Sequence, residues 1–517
     1  MTAYLSRMVF SYRARPAMVA GSFSGGTVAV GETYINTKGC LVTNCAGIVD
    51  FLVIGGGTAG IIGAKTASGF GARTVLVERE HTGGDCLWTG CVPSKTILSA
   101  AERAKTERAL TGRAPDFAAV RERIFRTIHT IEPADSPAAL EAAGVEVIKG
   151  VARFVAPGEV DVDGRTIRFR QALIATGAEP LSPRIPGLNV SATVTSETIW
   201  NLADLPARLA IVGGGPVGCE LGQAFARLGS EVTMIVRSRV LAKEDPEAAA
   251  VVRESLETDG VRILDHVRVQ RATDAQGASR IHLGDGTFVE ADTVLLATGR
   301  TPRTAGLGLD RIGVTLDGYG RVVTDPRMRT SNPLIRAAGD VTANPRFTHL
   351  AGVHASVAAS NAVLGLSRRI STTIPRVTYT SPELAAVGLT ETGSNGRTQA
   401  RTVRHAHIDR AVTEGSTAGF TRLIVDRRGR ILGGTIVSPR AGESLAELTV
   451  AVQKNLTTSD IAGITHAYPT YSDGVWNAAI ADARNRLAAP LIRRSIQALV
   501  FLRRRRLDRA VLHRRHR

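Results

Sequence analysis

The chain has 517 residues, enough for two to four domains with sizeable cores, and its 53 glycines with only 4% aromatics suit an α/β nucleotide binder better than a β-sandwich. Most of the formal net charge of +17 sits at the ends, where ten arginines face one aspartate in residues 493–517 and Arg7, Arg13, Arg15 and Lys38 face Glu32 in residues 1–48, so the body is only mildly basic and a nucleic-acid role for the whole chain does not follow from its charge. Five cysteines are too few for a secreted disulfide scaffold and no apolar run is long enough to span a membrane, which together point to a reducing cytoplasm.

Residues 1–48 show no sustained period, and the expectation is a disordered extension outside the functional fold. Cys40 and Cys45 lie there and read as two free thiols rather than a metal-capturing pair. Order begins at Asp50. Phe51–Ile54 is a short apolar strand, followed by Gly55-Gly-Gly57-Thr-Ala-Gly60, a helical stretch to Ser68 and a second strand, Arg73–Glu78. Strand, G-x-G-x-x-G, helix, strand and terminal acid together form a dinucleotide-binding unit. Gly55 makes the turn, Gly57 lets a pyrophosphate reach the backbone, Gly60 lets helix and strand pack, and Glu78 accepts from a ribose.

Directly after this unit comes Gly83-Gly84-Asp-Cys86-Leu-Trp-Thr-Gly-Cys91-Val-Pro93-Ser-Lys95. Pro93 suits the first turn of a helix, which places Cys91 at a positive helix end with Lys95 one turn on. Both features favour thiolate over thiol. Taken alone, the pair reads equally well as a redox couple and as a buried structural pair.

The dinucleotide unit then recurs. Arg208–Val212 is a strand, Gly213-Gly-Gly215-Pro-Val-Gly218 its turn, Glu220–Leu228 its helix and Glu231–Val236 the next strand. Arg237 stands where the first unit has Glu78, with Arg239 and Lys243 close behind. An arginine forks onto a 2′-phosphate that an acid would repel, so the second unit favours NADPH, with NADH the lesser candidate. The competing reading is an exposed basic loop. Two dinucleotide units with a thiol pair between them suggest a relay of electrons.

With these motifs in order, residues 49–490 resemble the pyridine nucleotide–disulfide oxidoreductases, a family that includes dihydrolipoamide dehydrogenase, glutathione reductase and mercuric reductase. Ala175-Thr176-Gly177 and Ala297-Thr-Gly299-Arg-Thr-Pro302 resemble its linking segments, Ala338-Gly339-Asp340 its second FAD motif, Phe347-Thr-His349 its flavin lining, and Pro375–Glu383 the start of its dimer-forming domain. The resemblance implies two Rossmann-like α/β domains and a C-terminal α+β domain. FAD-binding is expected over 49–185 and 307–373, NAD(P)-binding over 186–306, dimerisation over 374–490, and an arginine-rich tail over 491–517. It further implies FAD against Gly55, Gly57, Gly60, Glu78, Gly83, Gly84, Thr176, Gly177, Gly339 and Asp340. NADPH falls to Gly213, Gly215, Gly218, Arg237, Arg239 and Gly299. Cys91 becomes the thiolate against the flavin, Cys86 the thiol that meets the acceptor, and Lys95 with Glu220 a charge pair beside them.

The C-terminal segment departs from the pattern. Tyr468 and Asp473 occupy positions where the disulfide reductases hold a histidine and, five residues on, a glutamate; His466 comes two residues early. Tyr468, Val236-Arg-Ser238 and Glu244-Asp-Pro246 resemble mercuric reductase instead. Yet that enzyme's adjacent C-terminal cysteines are missing, the last cysteine being Cys219 in the second fingerprint helix, where a packing role is expected. The expected activity is a homodimeric, cytoplasmic, mercuric-reductase-like enzyme passing electrons from NADPH through FAD and Cys86–Cys91 to a small acceptor: a metal ion, quinone or disulfide. No resident metal and no nucleic-acid partner are expected. The alternatives are a dihydrolipoamide or glutathione-type reductase, and a flavoprotein redox sensor anchored by its tail. In that tail, Leu491, Ile492, Ile496, Leu499, Val500 and Leu502 recur at helical spacing between arginines. A solvated tail is the simpler reading, and contact with an anionic membrane surface or a partner the other.

Overall fold

In the computed structural model, the described residues are 33–35, 41–43, 47–188, 190–275, 278–390 and 397–515. The chain divides into Met1–Gly47 and Ile48–Arg517. In the first unit, Thr33–Ile35 pairs antiparallel with Leu41–Thr43. Cys40 and Cys45, and most of the extension expected to be disordered, lie outside the described residues.

The second unit opens on a seven-stranded sheet. Its central strand, Ile48–Ile54, starts before the expected Phe51 because Ile48 and Val49 already pair in parallel with Arg168 and Phe169. Phe51, Leu52 and Val53 are fully buried, as a strand covered on both faces requires. Thr74–Glu78 and Val145–Lys149 continue the parallel ladder on one side. Arg165–Ile174 flanks the other side and receives Ile335–Ala337, from far along the chain, as its parallel neighbour. The helices Thr58–Gly69 and Thr348–Leu364 cover one face.

A second, five-stranded sheet is wholly parallel, in the order Thr193–Thr195, Thr293–Leu296, Arg208–Val212, Glu231–Ile235, Arg262–Leu264. The helix Pro216–Leu228 packs on it with nearly every residue buried. The following helix, Pro246–Thr258, begins on a true cap, with the Asp245 carboxylate accepting from the Glu247 and Ala248 N–H groups at 2.9 and 3.2 Å. The last sheet is five-stranded and antiparallel, from Arg376–Thr378 to Thr398–Arg404, backed by Ala441–Lys454 and Asp473–Leu487. The architecture is therefore two Rossmann-like α/β layers followed by an α+β layer. Among the described residues no helix is long and apolar enough to cross a membrane.

Candidate active site

The first turn, Gly55–Gly60, is built for close approach. A Cβ on Gly60 would lie 1.8 Å from the Gly55 carbonyl oxygen, so only glycine lets the helix start where it does. Gly84, at φ +57°, comes so near Gly57 that a Cβ would meet its Cα at 2.6 Å. Glu78 ends its strand with one carboxylate oxygen accepting from the Gly56 N–H at 2.5 Å and the other from the Glu80 N–H at 2.8 Å. From there a cleft of about 450 Å³ runs on to Asp340, Thr348 and Cys86. A backbone cradle at a helix N-terminus, a ribose-accepting acid and an elongated cleft ending on a thiol fit FAD. Burial pushes the Asp340 carboxyl above its ordinary range.

Cys86 lies in the short helix Gly84–Trp88, and Cys91 is the first residue of Cys91–Thr111, with Lys95 a turn later. Both are free thiols. The hydrogen bond from Cys86 is the main cause that lowers Cys91 to about 6; Thr348 and the Lys95 charge add to it, against burial and the Glu220 charge. Cys86 is pushed up by that same bond, by burial and by the Cys91 charge. The pair thus shares one proton, held on Cys86. Thr348 Oγ1 stands 3.2 Å from the Cys91 sulfur.

Lys95 and Glu220 form an ion pair, Nζ to Oε2 at 2.8 Å, with Glu220 buried. The other Glu220 oxygen accepts from the Tyr379 N–H at 3.0 Å, and Lys95 Nζ sits 4.2 Å from the Tyr379 ring centre. Arg300 and Arg303, which sequence reasoning left without a role, form an ionic cluster with Asp85 and Glu197, of which Arg303, Asp85 and Glu197 line the same cleft. Arg300 pairs with Asp85 and, at 3.3 Å, with Glu197; Arg303 reaches Glu197 at 2.9 Å and Asp85 at 3.3 Å. Thr176 donates to the Arg303 carbonyl at 2.7 Å, and Ala178–Pro180 pairs with Arg300–Pro302, so the segments around Gly177 and Gly299 are brought side by side. The missed signal was charge: an arginine directly after Gly299 and an acid directly before Cys86.

In the second unit Arg237 is exposed at the end of its strand. Arg239 instead turns into its own loop, donating to the Ala242 and Glu244 carbonyls at 3.2 and 3.0 Å. Arg237, unlike Arg239, is open to solvent. Cys219 is buried, which pushes its thiol up and fits a packing role.

The C-terminal residues stand apart from the dithiol within one chain. Tyr468 is 69% exposed and its hydroxyl donates to Asp409. Asp473 is buried and accepts from the Thr470 N–H at 3.1 Å, closing its own turn. His466 has both ring nitrogens engaged, one on the Ile464 carbonyl at 3.0 Å and the other on Glu447 at 2.6 Å, and it stacks on Trp476. Neither Tyr468 nor Asp473 lines the cleft.

The family model described as pyridine nucleotide-disulphide oxidoreductase matches residues 49–358, and the model of that family's dimerisation domain matches residues 374–479. A mercuric reductase from Streptomyces lividans is 38% identical over 461 residues, 82% of this chain and 94% of that protein. A dihydrolipoyl dehydrogenase from Thermus scotoductus is 34% identical over 462 residues, 83% of this chain and 96% of that protein. Among solved structures, the Cu(II) complex of the HOCl-induced flavoprotein disulfide reductase RclA from Escherichia coli superposes with a TM-score of 0.77 at 26% identity, over 84% of this chain and 100% of that one. With one family model spanning more than half of the chain and its dimerisation partner following in order, the protein belongs to the pyridine nucleotide-disulphide oxidoreductases and is an FAD-dependent NAD(P)H oxidoreductase.

Proposed function

We propose that the enzyme uses NADPH to reduce a small thiophilic acceptor, a soft metal ion first, through Cys91 and Cys86. FAD, when bound in the first cleft, supplies hydride acceptance from the nicotinamide and onward transfer of the electron pair. The observation that carries the reading is the asymmetry of the dithiol: Cys91 ionised against Thr348, Cys86 holding the proton. In this reading Cys91, beside the cleft residue Thr348, exchanges electrons with the cofactor, and Cys86, itself on the cleft wall, meets the acceptor. Lys95, braced by Glu220, keeps a positive charge near the thiolate. Arg237 supports the choice of NADPH over NADH.

Tyr468 favours a metal ion over a disulfide. A disulfide acceptor releases a thiolate that needs a proton, the task of an imidazole with a pKa near neutrality. The bond to Asp409 pushes the Tyr468 phenol above its already high value, so it remains a neutral donor and shuttles no proton. The dithiol gives two electrons, to one mercury(II) or to two copper(II) ions, and closes to a disulfide as the Cys86 proton leaves to solvent, so no sulfur leaving group needs protonation. The mercuric reductase relative and the Cu(II)-bound neighbour support this acceptor class.

The test is a steady-state screen of NADPH and NADH oxidation with mercury(II), copper(II), quinones, lipoamide and glutathione disulfide. Metal-dependent oxidation of NADPH that disappears in both Cys86→Ser and Cys91→Ser is expected. Turnover of lipoamide at rates above every metal ion would overturn the reading. Long-wavelength absorbance on NADPH reduction, lost in Cys91→Ser, checks that Cys91 is the sulfur next to the flavin.

A further inference from the structure

The helix Pro490–Arg515 runs for 26 residues and serves neither the cleft nor the sheets. Every side chain from Leu491 to Arg509 is exposed, among them Leu491 at 77%, Leu499 at 66% and Leu502 at 55%. At about 100° per residue, Leu491, Ile492, Ile496, Leu499, Val500 and Leu502 fall within one half of the circumference. Arg493, Arg494 and Gln497 fall in the other half together with Phe501, and Ser495 falls in the apolar one. Four consecutive arginines, Arg503–Arg506, follow, and between Arg493 and Arg509 seven arginines face a single acid, Asp508.

An exposed apolar stripe over three turns, Leu491–Leu502, with nothing from the described chain against it, is not what a solvated tail presents. In proteins most helical stability comes from packing an amphipathic face, and this face has nothing from the described chain against it. Nucleic acid would pair the arginines and leave the stripe wet. A second copy of the helix would cover the stripe but set like charge against like. A bilayer surface bearing anionic headgroups meets both needs. The stripe enters the acyl boundary, the arginine stems reach up along it, and the guanidiniums pair with phosphodiesters.

We propose that Pro490–Arg515 lies in the plane of an anionic bilayer surface and docks the enzyme there without crossing it. The experiment is co-sedimentation of the full-length holoenzyme with phosphatidylcholine vesicles, with and without phosphatidylglycerol. Binding to the anionic vesicles should be at least tenfold tighter and should weaken as salt is raised. Removal of residues 490–517 should abolish it, and so should Ile496→Glu with Leu499→Glu, while NADPH turnover in solution is unchanged in both. Equal binding to neutral vesicles, or vesicle binding that survives truncation, would overturn the proposal. So would binding untouched by the double glutamate variant, since charge adsorption alone would then account for it. Two further results would assign the helix elsewhere: duplex DNA bound more tightly than vesicles and insensitive to the glutamates, or a larger oligomer that dissolves on truncation without any vesicle binding.

Discussion

Cys91 owes its ionisation to several groups acting together, and each can be removed singly. Cys86 is the largest of them, Thr348 and Lys95 follow, and burial opposes them. The alkylation rate of Cys91 should therefore rise with pH through a midpoint near 6 and level off above it, because the reactive form is the thiolate. Cys86→Ala, which removes the hydrogen bond, should move that midpoint upward, towards the ordinary thiol value. Thr348→Val should move it the same way by less. A midpoint unmoved by Cys86→Ala would show that the helix end and Lys95 suffice. At the second site, Arg237 and Arg239 differ in what they already hold, so they should differ in effect. Arg237→Ala should lower kcat/KM for NADPH by roughly tenfold or more and leave NADH little changed, the loss of one charge-assisted contact of about 1.5–3 kcal/mol. Arg239 instead knits its loop through the Ala242 and Glu244 carbonyls, so Arg239→Ala should weaken both nucleotides together.

The helix that carries Cys91 is held against the second dinucleotide unit by ion pairs whose inner members, Arg227 and Asp259, are out of water. Arg227 is 5% exposed and bonds Asp259 at 2.8 Å on one side and Glu102 of the Cys91 helix on the other. Lys105, from the same helix, reaches Asp259 at 2.8 Å. Arg227→Met leaves Asp259 buried with fewer partners and should cost about 3 kcal/mol, seen as a lower denaturant midpoint of the holoenzyme. Adding Asp259→Leu should recover part of that loss, because the stranded carboxylate goes with it. If the double variant is less stable than the single one, the pair contributes more than it costs to desolvate. At this scale the sequence is informative in one respect and silent in another. The strand–turn–helix units can be read from Phe51 and from Arg208 because hydrophobic period, glycine spacing and terminal residue all lie within thirty or so residues of chain. Thr348, Tyr379 and Arg300 cannot be placed that way. Thr348 is 257 positions from the cysteine it touches, and no local period records such a meeting.

At the scale of the whole molecule, the same limit explains what Tyr468 leaves open. Its position after Ala467 and before Pro469 marks it by resemblance as the residue that faces the acceptor, yet within one chain it is exposed, bonded to Asp409 and absent from the cleft that holds Cys86. A chain carrying the family's dimerisation domain over residues 374–479 offers a way to reconcile the two: the tyrosine of one protomer completes the site of the other. Mixed dimers decide this. Protomers with Cys86→Ser, inactive alone, and protomers with Tyr468→Ala, slowed alone where the phenol contacts the acceptor, are co-expressed with different tags and the heterodimer isolated. If the site is shared, one of its two sites is intact and the other doubly defective, so the heterodimer should recover about half of the wild-type rate per dimer. If each protomer completes its own site, both sites carry one defect and no recovery follows. Tyr468→His in the same background sharpens the reading. An imidazole placed there should raise lipoamide or glutathione disulfide turnover by at least roughly tenfold, since it supplies the proton that the phenol withholds. That gain should appear in the heterodimer only when the histidine and the intact Cys86 come from different protomers.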